Sequence, residues 1–188
     1  FVNTSISSER GIGPTCSKQR SPVVRVSMMT RAVFVTAFLP VAAMCAAEGR
    51  PEGLPEKARW KKVDRIVDGD TIVLKDRTRI RLHGIDAPEK NQPYGSESTA
   101  ALEEMVEHSV YVLEVDVDRY GRVVGQLYHS EEGYDINASL VCAGFAWWYE
   151  RYAAKSKILE DCHSEAQQAS RGLWRSAEPV PPWEWRRK

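Results

Sequence analysis

At 188 residues the chain has room for one domain of ordinary size and something left over, and 43% hydrophobic with 28% charged residues is the make-up of an ordinary globular protein. Formal net charge is zero, but residues 1–47 hold five Lys/Arg and one acid, leaving 21 basic against 25 acidic residues from 48 to 188. Proteins that coat nucleic acid by counterion release are basic. The balance excludes that class, and any nucleic-acid chemistry must sit in a local site.

Residues 1–28 show no hydrophobic periodicity and contain no Met before Met28; they read as an upstream or disordered leader outside the mature protein. From Met29 the run MTRAVFVTAFLPVAAMCAA has one positive charge, an apolar stretch from Ala32 to Ala43 and small residues at Cys45, Ala46 and Ala47. That is a secretory signal peptide over 29–47 with cleavage near Ala47. Its apolar stretch is too short to span a bilayer, and Met44 before Cys45 speaks against a lipoprotein box. The expectation is an exported protein, periplasmic or secreted, without stable membrane association after cleavage.

Residues 48–58, charged and containing Pro and Gly, are a linker. Short β-patterned segments follow: Trp60 to Val67, Thr71 to Lys75 and Thr78 to His83, with turns at Asp68-Gly69 and at KDRT. In the third, Ile80 and Leu82 share one face, Arg79, Arg81 and His83 the other. Gly95 to Glu107 is helical, with Ala101, Leu102, Met105 and Val106 as its apolar stripe. Strands Val110 to Val117 and Arg122 to His129 come next, joined by DRYG. Asp135 caps a helix containing Ile136, Leu140 and Val141 that ends at Gly144. A last helix from about Ser156 to Arg171 presents Ile158, Leu159, Cys162, Ala166 and Ala169, and Gly172 stops it. The segment PVPPWEWRRK is expected to be non-helical, a tail over 176–188 that straps across the domain through Trp183 and Trp185. The class is α+β, and five short strands with a helix between the third and fourth predict a small closed barrel over residues 59–175 rather than a doubly wound sheet.

Two cysteines remain after cleavage, Cys142 and Cys162. Export permits a disulfide, and an even count fits one; two buried thiols are the alternative, because both fall in apolar helical patterns. His83, His108, His129 and His163 lack the paired spacing of a zinc site. Asp116 and Asp118 share a strand face, where a solvated edge is expected in preference to a second ion site. The aromatics from Phe145 to Tyr152 are expected to pack rather than to stack on bases, with Tyr152 open to either role.

Chemistry concentrates in four stretches: VDGDT (67–71), RLHGIDAPE (81–89), DRYGR (118–122) and INASLVCAGFAWWY (136–149). Pro88 keeps Ala87 out of the helical region, so Asp86 and Glu89 flank a stiff turn just beyond Arg81. Paired carboxylates with a neighbouring carbonyl can hold a hard cation, and an Arg beside them offers a planar fork that matches two oxygens of an anion.

In this order the four stretches resemble the staphylococcal nuclease family over roughly Trp60 to Trp174, most specifically in IRLHGIDAPE. The resemblance implies a five-stranded OB-type β-barrel with three helices and a metal-dependent phosphodiesterase site. By position, Asp70, Asp86 and the carbonyl of Ala87 would hold one divalent ion, Ca²⁺ by the hardness of the donors. Arg81 and Arg122 would hold the scissile phosphate, and Glu89 would orient or deprotonate the attacking water. Arg119, Tyr120 and Tyr152 would meet the terminal phosphate and base of a bound nucleotide. The chain departs from the best-known member in having Ala87 where that protein has Thr, a shorter Glu89–Tyr94 loop with fewer lysines, and Trp147-Trp148 and Glu150-Arg151 in the wall near Tyr152. The implied function is a monomeric endonuclease acting on single- and double-stranded DNA and RNA and leaving 3′-phosphates. The alternative is an inactive OB-fold module that binds nucleic acid or a protein partner.

Overall fold

The computed structural model describes residues 49–188; the leader and signal peptide expected over 1–47 lie outside the described residues. Five strands close into a barrel in the order β1-β2-β3-β6-β5. They are β1 (Arg59–Asp68), β2 (Thr71–Leu74), β3 (Arg79–Leu82), β5 (Ser109–Val117) and β6 (Val123–His129). All neighbours are antiparallel except β3 and β6, which run parallel with Ile80 beside Val123 and Leu82 beside Gly125. Bulges in β1 and between Glu114 and Asp116 of β5 bend the long strands enough for β1 to pair with both β2 and β5.

The barrel closes because alternation puts apolar side chains on one face. Ile72, Leu74, Ile80, Leu82, Val110, Val112 and Leu127 are all buried, while Arg79 is exposed. Helix α1 (Gly95–Val106) buries Ala101, Leu102 and Val106, and α2 (Ile136–Cys142) buries Ile136, Leu140 and Val141. Helix α4 (Lys157–Gln168) adds Leu159, Cys162 and Ala166. The expected cap is in place: the Ala138 amide donates to Asp135 Oδ1 at 3.0 Å.

Those are the three helices of the expected fold, and the structure adds to them. Residues Ile85–Asp86 form a two-residue strand, β4, paired with β7 (Trp147–Trp148) outside the barrel. A single-turn helix, α3, covers Glu150–Ala153, and a 3₁₀ turn covers Gly172–Arg175. The tail is not wholly non-helical, since α5 spans Pro182–Trp185. Pro182 stands at the first helical position, where a missing amide hydrogen costs nothing and the fixed φ suits the helix. The stripe of α4 is also narrower than its sequence implies: Ile158 is 56% exposed and Ala169 lies beyond the helix, exposed. Cys142 and Cys162 are joined in a disulfide that ties α2 to α4.

Candidate active site

The first carboxylate sits at the start of β2. Gly69, in the turn before it, has no room for a side chain: a Cβ there would collide with Ser98 of α1 and come within 2.8 Å of the Ala87 Cβ. The turn is therefore pressed against α1 and the 87–89 loop, which places Asp70 inside. Asp70 is 3% exposed. Its Oδ1 accepts from the Thr71 hydroxyl at 3.0 Å and its Oδ2 from the Ala87 amide at 2.8 Å. The Asp70 carbonyl accepts from the Leu82 amide at 2.8 Å, fixing β2's start to β3.

Arg81 projects from the outward face of β3 into this corner and pairs with Asp70. The same guanidinium donates to Asp86 Oδ1 at 2.5 Å and to the Ile85 carbonyl at 3.3 Å. Asp86 is fully buried. Two features bring it back over β3. Gly84 takes φ +73°, and a Cβ there would come within 2.8 Å of Ala153 and Leu159, so only glycine suits the reversal. Asn137 of α2, also fully buried, donates from Nδ2 to the His83 carbonyl at 3.0 Å and accepts the Leu127 amide at 3.0 Å. One side chain thus clamps the exit of β3 to β6.

Glu89 lies beyond Pro88 in a loop stapled by Gln92, whose Oε1 accepts the Glu89 amide at 3.1 Å. Its carboxylate does not touch Asp70 or Asp86. It is joined to the cluster by Arg186, at the end of α5, which donates to Glu89 Oε1 at 2.6 Å and to Asp86 Oδ2 at 2.7 Å. The segment carrying Arg186 is anchored at several points. Trp183 stacks on Tyr149 with ring centroids 5.0 Å apart, Trp185 Nε1 donates to Asn91 at 3.3 Å, and Gln92 Nε2 donates to the Val180 carbonyl at 2.6 Å. The strap expected through Trp183 and Trp185 therefore exists. The guanidinium it delivers was missed by sequence reasoning, because Arg186 lies a hundred residues from Asp86 and belongs to no local pattern.

Arg122, Arg119 and Tyr120 form a separate group at the β5–β6 turn. Arg122 Nε donates to Asp118 Oδ2 at 2.7 Å, and Asp118 Oδ1 accepts the Tyr120 and Arg122 amides. Burial pushes the Asp118 carboxyl up, but these hydrogen bonds outweigh it and hold it below its ordinary value. Asp118 is thus neither a solvated edge residue nor a free ligand; it fixes the turn that presents Arg122. Arg119 and Arg122 both lie over the Tyr120 ring, at 4.9 and 5.7 Å. No hydrogen bond or ion pair links Arg122 to the carboxylates among the described residues. Tyr152 is 64% exposed on α3 and packs edge-on against Tyr149, 5.0 Å away. Tyr149 in turn is tied to β4 through its amide and the Gly84 carbonyl at 2.8 Å.

The structure therefore brings Asp70, Arg81, Asp86 and Ala87 into direct contact, ties Glu89 to them through Arg186, and leaves Arg122, Arg119, Tyr120 and Tyr152 on flanking walls. Among the described residues no three His, Cys, Asp or Glu side chains form a metal cluster. The donor set available is two buried carboxylates with a carbonyl nearby. It fits a hard cation that keeps several waters, and the burial of Asp86 and Asp70 requires compensating positive charge in any case. Here Arg81 and Arg186 supply it.

A family model described as staphylococcal nuclease homologue matches residues 79–176. An Escherichia coli protein named as an uncharacterized endonuclease is 46% identical over 131 residues, covering 68% of this chain and 84% of its own. A Shigella flexneri protein named as a micrococcal nuclease is 34% identical over 165 residues, covering 81% and 95%. A staphylococcal-like nuclease of Arabidopsis thaliana is 41% identical over 116 residues, which are 61% of this chain and 35% of that one. With the OB-type barrel, the DGD turn against α1 and the Arg81–Asp86 corner all in place, the chain belongs to the staphylococcal nuclease family.

Proposed function

We propose that the protein is a calcium-dependent endonuclease that hydrolyses DNA and RNA, single- or double-stranded, and leaves 3′-phosphates. The observation that carries this reading is the buried Asp70–Asp86 pair with Arg81 forked between them, on a strand beside the one that Arg122 opens. A binding module needs no paired buried carboxylates, which repel the phosphates it would hold. Family membership supports the nuclease activity.

Asp70, Asp86 and the Ala87 carbonyl would hold the cation, which would supply positive charge at the scissile phosphate. Arg81 then releases its hold on the carboxylates and presents its fork to two phosphate oxygens, a contact an ammonium cannot copy. Arg122, held in place by Asp118, supplies the second guanidinium. Glu89 accepts the proton of the attacking water or orients it; the water oxygen bonds to phosphorus as the bond to the 5′ oxygen breaks, and that oxygen leaves as a hydroxyl protonated by solvent. Arg119, Tyr120 and Tyr152 position the nucleotide. We further propose that the protein acts as an exported monomer, periplasmic or secreted, after loss of residues 29–47.

The test is cleavage of single- and double-stranded DNA with Ca²⁺ and with a chelator. Cleavage in Ca²⁺ and its loss on chelation are expected. Full cleavage by metal-free protein in excess chelator would sink the metal mechanism.

A further inference from the structure

Beside Arg122 the outer barrel surface carries a cleft of about 580 Å³ lined by Arg77, Thr78, Arg79, Tyr120, Gly121 and Arg122. Arg79 is the outward residue of β3 two positions before Arg81, and the parallel β3–β6 pairing brings the start of β6 against it. Arg77 sits in the turn before β3 with φ +70°. Arg77, Arg79 and Arg119 make no ion pair through their guanidinium groups among the described residues, although the domain as a whole is acidic. The nearest acids in sequence are already committed, Asp76 to Lys61 and Asp118 to Arg122. Tyr120 is 69% exposed at the same cleft, its ring flanked by two guanidiniums.

Unpaired arginines in a row and an exposed ring beside them match a polyanion whose bases are free to stack. We propose that this cleft is an extended subsite for single-stranded nucleic acid: Arg77 and Arg79 take backbone phosphates beyond the scissile one, and Tyr120 stacks on the base between. Duplex would leave Tyr120 without a free base face. The inference rests on the nuclease reading for its direction but is tested without cleavage.

The experiment is binding of a labelled twelve-residue single strand in chelator across a salt series, for the native chain and for R77N/R79T. Asn suits the left-handed backbone at 77 and Thr the exposed strand position at 79. The double variant should bind at least tenfold more weakly at low salt, and its log–log salt slope should be shallower by about 1.4, the value for two lost phosphate contacts on a single strand. Binding of a nucleoside 3′,5′-bisphosphate should be retained, showing an intact site. An unchanged strand affinity and slope would overturn the proposal, as would an equal loss on a duplex of the same length. A native chain that binds the strand yet never cleaves it with Ca²⁺ would overturn the nuclease reading alone.

A second inference comes from Arg186. Both oxygens of Asp86 are occupied by guanidiniums, Oδ1 by Arg81 and Oδ2 by Arg186, and Arg186 holds Glu89 as well. Trp183, Trp185 and Val180 anchor the backbone carrying it, so this cation is present at a high effective concentration. We infer that Arg186 is a tethered competitor for the divalent ion: it swings away when the ion binds Asp86, and it sets how much ion is needed. Calorimetric Ca²⁺ titration of Arg186→Ala should show affinity raised several-fold, with Arg186→Lys between it and the native chain. In the native protein, Ca²⁺ should change the fluorescence of Trp185, and Trp185→Phe should remove that change. Unchanged or weakened Ca²⁺ affinity in Arg186→Ala would overturn the inference and make Arg186 a support of the site.

Discussion

Arg81 and Arg186 donate to the same carboxylate, that of Asp86, from two very different platforms. Arg81 rises from β3, a strand hydrogen-bonded on both sides within the barrel, and its side chain is 18% exposed. Arg186 ends a four-residue helix held by aromatic stacking, and its side chain is 43% exposed. A paired strand holds the Arg81 backbone fixed, so only its guanidinium has to turn from carboxylate to phosphate, the preorganisation that transition-state recognition demands. A side chain on a strap can leave. Similar distances thus describe unequal roles, and the element behind each guanidinium distinguishes them.

The sharpest way to break that distinction is through Glu89, whose carboxylate bonds only to Arg186 of the strap among the described residues. Glu89→Gln keeps size and hydrogen-bonding reach but neither the charge nor the basicity. Turnover in single-turnover cleavage of a short DNA should fall by roughly a hundred- to ten-thousand-fold, the range for a positioned general base, while Ca²⁺ and nucleotide still bind. Unchanged turnover would remove Glu89 from the chemistry. On the barrel side, Arg81→Lys should retain the fold by circular dichroism and lose on the order of a hundred- to a thousandfold in rate. Near-native turnover would place the phosphate clamp elsewhere.

Next in size, the Cys142→Ser/Cys162→Ser pair probes neither guanidinium but the helices behind Tyr149. The bond closes a loop with sequence separation 20. Its removal should lower stability by about 3 kcal/mol in the chain-entropy account, read from urea unfolding, without weakening the Trp183–Tyr149 stack. A loss of that stack would mean that the strap depends on the disulfide.

The smallest effect is that of pH on the barrel itself. Burial holds the His83 imidazole below its ordinary value, with Asp116 pulling the other way. A group whose folded value is depressed contributes fully above its unfolded value, about 6.5, and loses that contribution as pH falls toward the folded one. Stability should therefore decline below about pH 6.5, by less than the disulfide is worth, and His83→Gln should flatten the decline. A native profile that is level from pH 7.5 to 5.5 would contradict the burial.

What the sequence displayed and what it concealed follow from range. The barrel strands were legible because Ile80–Leu82 against Arg79–Arg81 is a period-two pattern contained in four residues. The Asp135 cap and the Gly144 stop are equally local. The corner of Asp70, Arg81 and Asp86 was legible through motif order. The β4–β7 pair was not, because two residues carry no periodicity. Helix α5 was hidden within a proline-rich segment expected to be non-helical, although Pro182 at the first helical position permits the turn. Arg186 was invisible for a different reason: nothing in WEWRRK states which distant carboxylates lie within reach, and the contacts of Trp183 with Tyr149, Trp185 with Asn91 and Val180 with Gln92 decide it.

The parallel pairing of β3 with β6 bears on how the molecule is assembled. An antiparallel hairpin could set Arg81 beside its partner strand as soon as a few residues were available. Here the partner strand arrives only after α1 and β5 have been made and folded back, so the pairing has high contact order and belongs to the slow, late part of folding. Asn137, which bridges the two strands, comes from still further along the chain. A partly folded chain therefore lacks the face of Arg81 and Arg122 altogether, and the proposed phosphate clamp forms only as the barrel closes.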